Sequence, residues 1–578
     1  MSWIFGIGDP SGVDEDRVLT IAGTVLVGRR PVLECSVRGD VVVGTYEDEG
    51  WSPGLVRDGN HLIVADARVD AVGDADATSV EGEAAAGLIW EHIRRRGIMG
   101  LDHIAADFSL ACVDEERERV LVTRDATGNR PLYWTSDGDR WAFASSPRFL
   151  IPFSKHAGEL DTEVCAMFLA GLEYRPDETG IRGIHRVPGG RWLVIPHHGA
   201  ATEGRWFRPE WDPVDSAING ESTGRVRDAI RTSVRDRARA GRVGVWLSGG
   251  RDSGSIAVAL AREGISANCY TVTFDKAVCP SEDSEAKALA VSLGHRWFGM
   301  RQSTEIRDAD LRWHLARSPF PLAMPYSTSF RSSLDQVVRQ RTRVSMEGFG
   351  GELFVAPPLA TADLLRSLRF KEAVRSARAF QNNWVYGYRA QIKGGLRAIT
   401  PRRILNARER TRRLPPWSAS TARGRSSSAD EPRSARDARL SFLLWEGMDW
   451  GRDTADALIF PDGVRATYPF YDRRVIRAAL RLPATALTPE PEPKWVLTEA
   501  LLGPWAESRV KATHVDWFRA VAREGWDTQP HAYSRNSMMA GAGIVDPDGV
   551  APPFSLAWDI QSAALVFVEA ALQMSRPS

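Results

Sequence analysis

The chain has 578 residues, of which 43% are hydrophobic and 26% are charged. This length exceeds what one hydrophobic core usually supports, so at least two domains are expected. The 74 Lys and Arg residues balance the 74 Asp and Glu residues, and this zero net charge argues against a protein dedicated to nucleic acid or to a membrane surface.

The chain shows no sign of export or membrane insertion. No run of about 18 consecutive apolar residues occurs, and the first residues lack the basic and apolar regions of a signal peptide. The five cysteines are scattered and form no Cys-x-x-Cys pair, which is typical of reduced, buried residues. These features predict a cytoplasmic protein with neither a nucleic-acid nor a membrane partner.

The first part of the chain has the pattern of short strands with one clear helix. The apolar spacing within residues 80–96 predicts that helix. Runs of apolar or alternating character predict strands at residues 41–46, 61–67, 109–114 and 120–124.

After residue 216 the pattern changes to helices that alternate with short apolar strands. Helices are predicted at residues 223–240 and 281–293, and strands at residues 243–247 and 269–274. This alternation predicts a parallel sheet with helices on both faces. Ligands of such sheets bind beyond the carboxyl ends of the strands.

The change of pattern near residue 206 predicts two domains, residues 1–205 and residues 206–578. Within the second domain, residues 401–438 are dominated by Arg, Ser and Pro, and apolar periodicity is lost. Such a composition predicts a solvated, flexible loop. A mobile lid over a large substrate is the alternative interpretation.

Residues 243–255 (VGVWLSGGRDSGS) predict a buried strand, a glycine-rich turn and the start of a helix. Such a turn directs backbone N–H groups, here those of Gly249 and Gly250, and the positive helix end toward an anion. The Ser248 and Ser253 hydroxyls add donors, and Asp252 is suited to the magnesium ion that accompanies a polyphosphate. The missing Gly-Lys-Ser/Thr ending excludes a Walker loop. An ordinary strand–turn–helix corner is the alternative.

This turn resembles the pyrophosphate loop, Ser-Gly-Gly-x-Asp-Ser, of enzymes that cleave ATP between the α- and β-phosphates. Further motifs resemble those of one superfamily in the right order. Those of class II glutamine amidotransferase domains are matched by residues 100–111 (GLDHIAADFSLA), 124–133 (RDATGNRPLY), 142–146 (AFASS) and 187–190 (VPGG). The second nucleotide loop and the later Arg-x-Pro-Phe-x-Asp element of asparagine synthetases are matched by residues 348–354 (GFGGELF) and 465–472 (RATYPFYD).

The resemblance implies a two-domain fold that combines α+β and α/β architecture. The N-terminal domain would be class II glutamine amidotransferase-like, of the αββα type of N-terminal-nucleophile (Ntn) hydrolases. The C-terminal domain would be an adenine-nucleotide α-hydrolase-like (PP-loop) synthetase domain with a parallel sheet. ATP and magnesium (Mg2+) are the implied cofactors.

The resemblance also implies roles for residues outside the loop. Asp252 and Glu352 would hold magnesium, although one acid that the family usually has in the second loop is missing. Lys511 would neutralise the pentavalent phosphorus and the departing pyrophosphate, and Lys494 matches a lysine ahead of a helix. Plain surface lysines are the alternative for both. Glu347 is a candidate proton acceptor.

The nucleotide base has its own set of candidate contacts. Adenine would lie against Trp246, Leu247, Val272 and the backbone near Gly348. Ordinary core strands are the alternative interpretation of these apolar residues.

Two departures from the family bear on the N-terminal domain. Working amidotransferases of this class expose cysteine after removal of the initial Met, but this chain has Ser2. Where the family has Asn-Gly-Glu-Ile-Tyr, residues 65–70 are ADARVD, which removes the amide that would stabilise an oxyanion. The domain is therefore expected to be an inactive glutaminase kept as a scaffold, and ammonia is not the expected nucleophile.

These departures are shared by β-lactam synthetases and lasso-peptide macrolactam cyclases, and the ADARVD segment is more similar to the cyclases. A cyclase would adenylate a side-chain carboxylate of a leaderless precursor peptide, close the ring with the peptide's N-terminal amine, and release AMP and pyrophosphate. Its partners would be that peptide and a leader peptidase or leader-recognition protein. The alternatives are a β-lactam or asparagine-type synthetase acting on a small amino acid, and a non-catalytic nucleotide-binding scaffold.

Overall fold

The fold is taken from a computed structural model. The structure describes residues 3–25, 32–35, 39–46, 53–73, 79–156, 158–170, 175–273, 283–301, 309, 313–314, 327–357, 359–379, 418, 432, 434–443, 447–459, 463–487, 494–506, 538–542 and 544–546. Within these residues, no helix has both the length and the apolar composition that crossing a membrane requires.

The N-terminal part consists of two antiparallel sheets. Its strands, in chain order, are β1 Trp3–Gly8, β2 Val32–Cys35, β3 Val41–Tyr46, β4 Gly54–Asp58, β5 His61–Val72, β6 Val80–Glu81, β7 Ile104–Asp114, β8 Arg119–Arg124, β9 Tyr133–Asp137, β10 Arg140–Ala144, β11 His185–Arg186, β12 Arg191–Pro196 and β13 Thr202–Arg205. One sheet has the order β11-β9-β10-β1-β3-β2, the other β13-β12-β8-β7-β5-β4, and β6 pairs with β5.

Alternation along the strands explains how these two sheets are layered. Ile4 and Val43 of the first sheet pack against Val64 and Val113 of the second, whereas Phe5 points to the opposite face, because successive side chains of a strand leave opposite faces. Helices cover both outer faces and give the predicted helix–sheet–sheet–helix order. The helical segments of this part are Glu15–Val25, Gly82–Arg96, Ile98–His103, Pro147–Leu150, Ile151–Phe153, Thr162–Leu169 and Pro209–Trp211.

The C-terminal part is built on a five-stranded sheet with the order β16-β15-β14-β17-β18. All neighbouring strands are parallel, as the alternating pattern predicts. The strands are β14 Val243–Trp246, β15 Asn268–Thr273, β16 Arg296–Arg301, β17 Val344–Met346 and β18 Arg465–Thr467. Since β14 and β17 are parallel neighbours, the loops that follow them emerge side by side.

Helices and helical turns surround this sheet. They are Gly220–Ala238, Arg251–Arg262, Asp283–Ser292, Ser327–Arg339, Gly351–Phe354, Leu359–Arg366, Phe370–Ala379, Ala435–Leu443, Gly447–Ile459, Pro469–Tyr471, Arg473–Arg481, Ala484–Ala486, Trp495–Leu497, Thr498–Leu502, Gly503–Ala506 and Met538–Gly541. The predicted loop at 401–438 falls mostly outside the described residues. Its last residues, from Ala435, are helical instead.

The starts of two predicted helices were wrong for local reasons. The first helix of the C-terminal part begins at Gly220 rather than at residue 223, because the Asn219 side chain accepts the Ser222 N–H at 2.9 Å and caps it. The helix predicted from residue 80 begins at Gly82, because Val80 and Glu81 pair with β5 as a short strand.

The two parts meet across buried ion pairs. Arg237, on the helix Gly220–Ala238, donates to Asp107 of β7 and to Asp472, each at 2.8 Å. Asp453, on the helix Gly447–Ile459, accepts from Arg124 at 3.1 Å and from Arg186 at 2.9 Å. Charges taken this far from water require close partners, so these pairs fix one arrangement of the two parts.

The ADARVD segment lies in this same interface. Asp66, Arg68 and Asp70 alternate along β5 and therefore share one face. Asp66 accepts from Arg465 of β18 at 3.2 Å, and Arg68 donates to Asp70 at 2.9 Å and to Asp107 at 2.8 Å. The residues that depart from the glutaminase motif thus belong to the junction between the two parts.

Candidate functional site

The site begins with the loop between β14 and the helix Arg251–Arg262. The Ser248 hydroxyl lies 3.1 Å from that of Ser253 and accepts the Gly250 N–H at 3.1 Å, while the Ser248 N–H donates to the Ser253 hydroxyl at 3.1 Å. Gly250 is the N-cap and provides no side-chain cap. The hydroxyl groups therefore stabilise the conformation of the loop. The N-terminus of the helix lies at the carboxyl end of the sheet, and a helix N-terminus favours a bound anion.

A lysine and two acids gather beside this loop. Lys494 Nζ lies 2.5 Å from Asp252 Oδ2 and 4.0 Å from Glu352 Oε1. Burial lowers the pKa of Lys494, but the carboxylates of Asp252 and Glu352 outweigh burial, and the pKa ends above its ordinary value. Lys494 is thus a cation near neutral pH. It also has a φ of 59°, an unusual backbone conformation for a residue other than glycine.

The second predicted loop comes from β17 and packs on the first. Gly350 has a φ of 95°, which glycine adopts readily. A Cβ atom added to Gly351 would lie 2.2 Å from Cγ of Asp252. Two consecutive glycines are therefore needed to bring Glu352 and Asp252 to the same place.

Replacing Gly351 with alanine should displace the Asp252 carboxylate. The added methyl group would contact the Asp252 carboxyl group, which Lys494 holds at 2.5 Å. Either this carboxyl group or the backbone at residue 351 must therefore move. The ATP-dependent turnover that the loop's resemblance predicts should then fall about 10²-fold, as misplacement of catalytic groups by an ångström can cost, with thermal unfolding little changed. Gly87→Ala, on the helix Gly82–Arg96, is a control for the loss of glycine, since a Cβ there meets nothing within 4 Å and the backbone is not in the left-handed region; equal activity losses in both variants would contradict the explanation.

The residues predicted to contact adenine differ in their burial and in their hydrogen bonds. Leu247 is 1% exposed and its N–H donates to Tyr270 O at 2.8 Å, so it is a core residue at the base of the loop. Trp246 is partly buried and donates from Nε1 to Ser345 Oγ at 2.7 Å. Val272 is a partly buried residue of β15. A Cβ added to Gly348 would lie 3.0 Å from Cβ of Asp252, so the two loops are in contact there.

A cavity of about 190 Å³ is lined in part by the same loop. Ser248 and Gly249 form one wall, Leu289 and Trp505 contribute apolar surface, and Glu285 contributes a carboxylate. The cavity thus includes two of the predicted nucleotide-binding residues but none of Trp246, Leu247 and Val272. The sequence contained no pattern that pointed to Trp505.

Glu347 directly follows β17, at the start of the second loop. Its N–H donates to Thr467 O of β18 at 3.1 Å. Burial, together with the nearby Asp456 carboxylate, raises the pKa of Glu347 to about 7. A carboxyl group with such a pKa exchanges protons near neutral pH, which suits a general base. Neither Asp456 nor the adjoining Arg465–Asp66 pair was among the predicted site residues.

Lys511, which has a predicted role, and Ser2, which stands where the expected cysteine would be, lie outside the described residues. Their roles remain predictions, as do those of the other candidates. Within the described part, the structure does bring Asp252, Lys494 and Glu352 together, although they are far apart in sequence.

The donor set near the loop fits a magnesium ion bound together with a polyphosphate. Asp252 Oδ1 is buried and has no hydrogen-bond partner among the described residues, and the Glu352 side chain is 45% exposed. Magnesium is commonly held by one or two carboxylates plus substrate phosphates rather than by a complete protein cage. The described residues contain no group of three or more acidic, His or Cys side chains that could hold a metal ion.

Comparison with curated proteins gives relatives that match only parts of their own length. The chain is 27% identical to amidase chry2 of Gibberella zeae over 38% of its own length and 35% of that protein. It is 26% identical to amidase chyE of Penicillium rubens over 46% of its length and 42% of that protein. A putative glutamine-hydrolyzing asparagine synthetase of Mycobacterium tuberculosis is 26% identical over 76% of this chain and 70% of that protein. The chain thus spans less than half of the two amidases.

Comparison with protein families gives two consecutive matches. Residues 74–207 match the glutamine amidotransferase domain, and residues 225–510 match asparagine synthase. The matches follow the division into paired antiparallel sheets and a parallel sheet, and they confirm the predicted fold class. The chain therefore combines an amidotransferase-like domain with a following domain that is similar to asparagine synthase.

Proposed function

We propose that the protein is an ATP-dependent amide ligase that forms AMP and pyrophosphate. The observation that carries the proposal is the cluster of Asp252, Lys494 and Glu352 beside the Ser248–Ser253 loop. It places a cation and two candidate magnesium ligands at a helix N-terminus, as transfer of a nucleotidyl group requires. We propose the cytoplasm, where ATP is available, as its location.

In the first step, a substrate carboxylate oxygen attacks the α-phosphorus of ATP, and the bond to the bridging oxygen of the β-phosphate breaks. An acyl adenylate forms and pyrophosphate leaves. Lys494 offsets the negative charge that builds on the phosphates, and the N–H groups of the loop orient them. Magnesium, held by Asp252 and Glu352, would supply further positive charge.

In the second step, an amine attacks the acyl carbon, the C–O bond to AMP breaks, and the amine loses a proton. Glu347 is the proposed acceptor of that proton, because its raised pKa of about 7 lets it gain a proton readily near neutral pH. Together the two steps join an acid and an amine with net loss of water, whose oxygen leaves on AMP.

As the specific substrate we propose a leaderless precursor peptide, closed to a macrolactam between a side-chain carboxylate and its N-terminal amine. A leader peptidase or leader-recognition protein would deliver it. Support comes from the ADARVD segment: its Asp66 and Arg68 are engaged in the domain interface rather than available to a glutamine substrate. We therefore propose residues 1–205 as an inactive scaffold and residues 206–578 as the ligase domain.

Pyrophosphate release tests the activity and its substrate together. The purified protein is given ATP, magnesium and either the leaderless peptide encoded beside it, aspartate or a β-amino acid. We expect release that depends on the peptide and a product lighter by one water, with Asp252→Asn inactive but folded. Release with only a small amino acid would favour an asparagine-type or β-lactam synthetase. No release with any substrate, with or without the candidate peptidase, would favour a non-catalytic scaffold.

A further inference from the structure

The two carboxylate oxygens of Asp252 are held or enclosed in different ways. Oδ2 accepts a hydrogen bond from Lys494 Nζ at 2.5 Å. Oδ1 is buried without a hydrogen-bond partner among the described residues, and it faces Gly351, since a Cβ atom added there would lie 2.2 Å from it. A metal ion could therefore bind Asp252 only if Oδ2 leaves Lys494 or the side chain turns to bring Oδ1 outward.

The same lysine also lies close to the second candidate metal ligand. Lys494 Nζ is 4.0 Å from Glu352 Oε1, so one ammonium group is within 4.0 Å of both carboxylates. The side chains of Lys494 and Asp252 are mostly buried, and water screens charges less in such surroundings. A divalent cation on these two acids would therefore be repelled by the lysine at close range.

The backbone of Lys494 shows that its position is imposed by its surroundings. Its φ of 59° lies in the left-handed region, which is disfavoured for a residue with a side chain. Its carbonyl oxygen accepts the Leu497 N–H at 2.9 Å, in the first turn of the helical segment Trp495–Leu497. Such unfavourable conformations are concentrated at functional sites, which fits a lysine whose placement beside Asp252 matters more than its backbone preference.

We infer that Lys494 competes with the metal ion for Asp252 until a polyphosphate binds, so that magnesium binds together with ATP rather than alone. The inference rests on the proposed function, which assigns ATP and magnesium to this loop. Phosphates bound beside the loop offer Lys494 other oxygen atoms, and its three N–H donors can turn to them. The carboxylate of Asp252 then becomes available to the metal ion.

The sign of one effect separates competition from a supporting role. If Lys494 competes with the metal ion, removing its charge strengthens metal binding in the absence of nucleotide, because Asp252 and Glu352 keep their charges and lose a rival cation. If Lys494 only held Asp252 in the correct position, the same change would weaken metal binding. A gain of metal affinity is therefore a result that a structural role does not produce.

The decisive measurement is the binding of manganese ions to the nucleotide-free protein, followed by the electron paramagnetic resonance signal of the free ion. Manganese prefers the same oxygen ligands as magnesium. We expect the Kd for manganese to fall about tenfold in Lys494→Met, within the usual range of coupling between two binding events. Lys371→Met, at an exposed lysine, should leave the Kd unchanged, and adding Asp252→Asn to Lys494→Met should abolish the gain. If Lys494→Met does not fold, Lys494→Gln takes its place.

The outcomes separate this inference from the proposed function. An unchanged or weaker manganese affinity in Lys494→Met, or no measurable binding to that variant, would overturn the inference. A gain that persists in the double variant would also overturn it, since the ion would then bind elsewhere. Absence of pyrophosphate release in the unaltered protein would overturn the proposed function, while the manganese titration would still decide whether Lys494 competes with a metal ion for Asp252.

Discussion

Replacing Lys494 with methionine should lower the rate of pyrophosphate release about 10²- to 10³-fold, the usual loss when one preorganised group that stabilises transition-state charge is removed. Lys494 Nζ is 2.5 Å from Asp252, and the two neighbouring carboxylates keep its pKa above the ordinary value. Methionine preserves most of the side-chain length but removes the charge. Steady-state pyrophosphate release at saturating ATP measures the effect.

Two further variants make this prediction specific. Lys371→Met removes the charge of an exposed lysine and should leave the rate unchanged. Lys511→Met tests the other lysine for which a role in neutralising the phosphates is predicted. A rate retained in Lys494→Met and lost in Lys511→Met would contradict the role of Lys494 and transfer it to Lys511.

The loop and its sheet could be predicted because their determinants are local. The glycines, hydroxyls and acid of residues 248–253 are contiguous, and the change from a strand to a helical pattern at this point needs no distant partner. The structure confirms the strand and the helix, with the strand ending at Trp246, one residue earlier than predicted, and the helix beginning at Arg251.

The contacts of this loop with the rest of the site could not be predicted from patterns. Lys494 and Asp252 are separated by 242 positions, and only the packing of the two loops against each other explains why they meet. Lys494 was proposed from a resemblance that did not indicate an ion pair. Asp456 was overlooked because a single acid on a helix is usually a solvent-exposed residue.

The contacts across the domain interface could also not be predicted from the sequence pattern. The ADARVD segment was recognised as a departure from the glutaminase motif, and its period of two places three charged side chains on one face. The pattern alone did not show what that face contacts, since Arg465 and Arg237 come from elements far along the chain. Buried charges are rare unless paired. A charged strand among buried neighbours therefore indicates that its charges have partners, but it does not identify those partners.

Replacing Arg237 with methionine should lower the free energy of unfolding by about 3 to 5 kcal/mol, the typical cost of breaking a buried ion pair. Arg237 is 1% exposed and donates to both Asp107 and Asp472 at 2.8 Å. Without Arg237, the buried carboxylates of Asp107 and Asp472 each lose one neighbouring cation. Urea unfolding at pH 7 measures the change, and Arg95→Met, which removes an exposed arginine whose partner Glu91 is also exposed, should change the free energy by less than about 0.5 kcal/mol.

The dependence of this loss on pH tests its electrostatic origin. Burial raises the pKa of Asp107, but Arg237 and then Arg68 outweigh burial, and the pKa ends at about 2; Arg474 and Arg237 hold that of Asp472 well below its ordinary range. Such depressed values stabilise the fold above the unfolded pKa of about 4, and this stabilisation is lost as the pH falls toward 2. Without Arg237 the folded pKa values rise, so the variant's deficit should be largest near pH 7 and shrink as the pH falls toward 2. A deficit that does not change with pH would instead indicate lost packing around the Arg237 side chain.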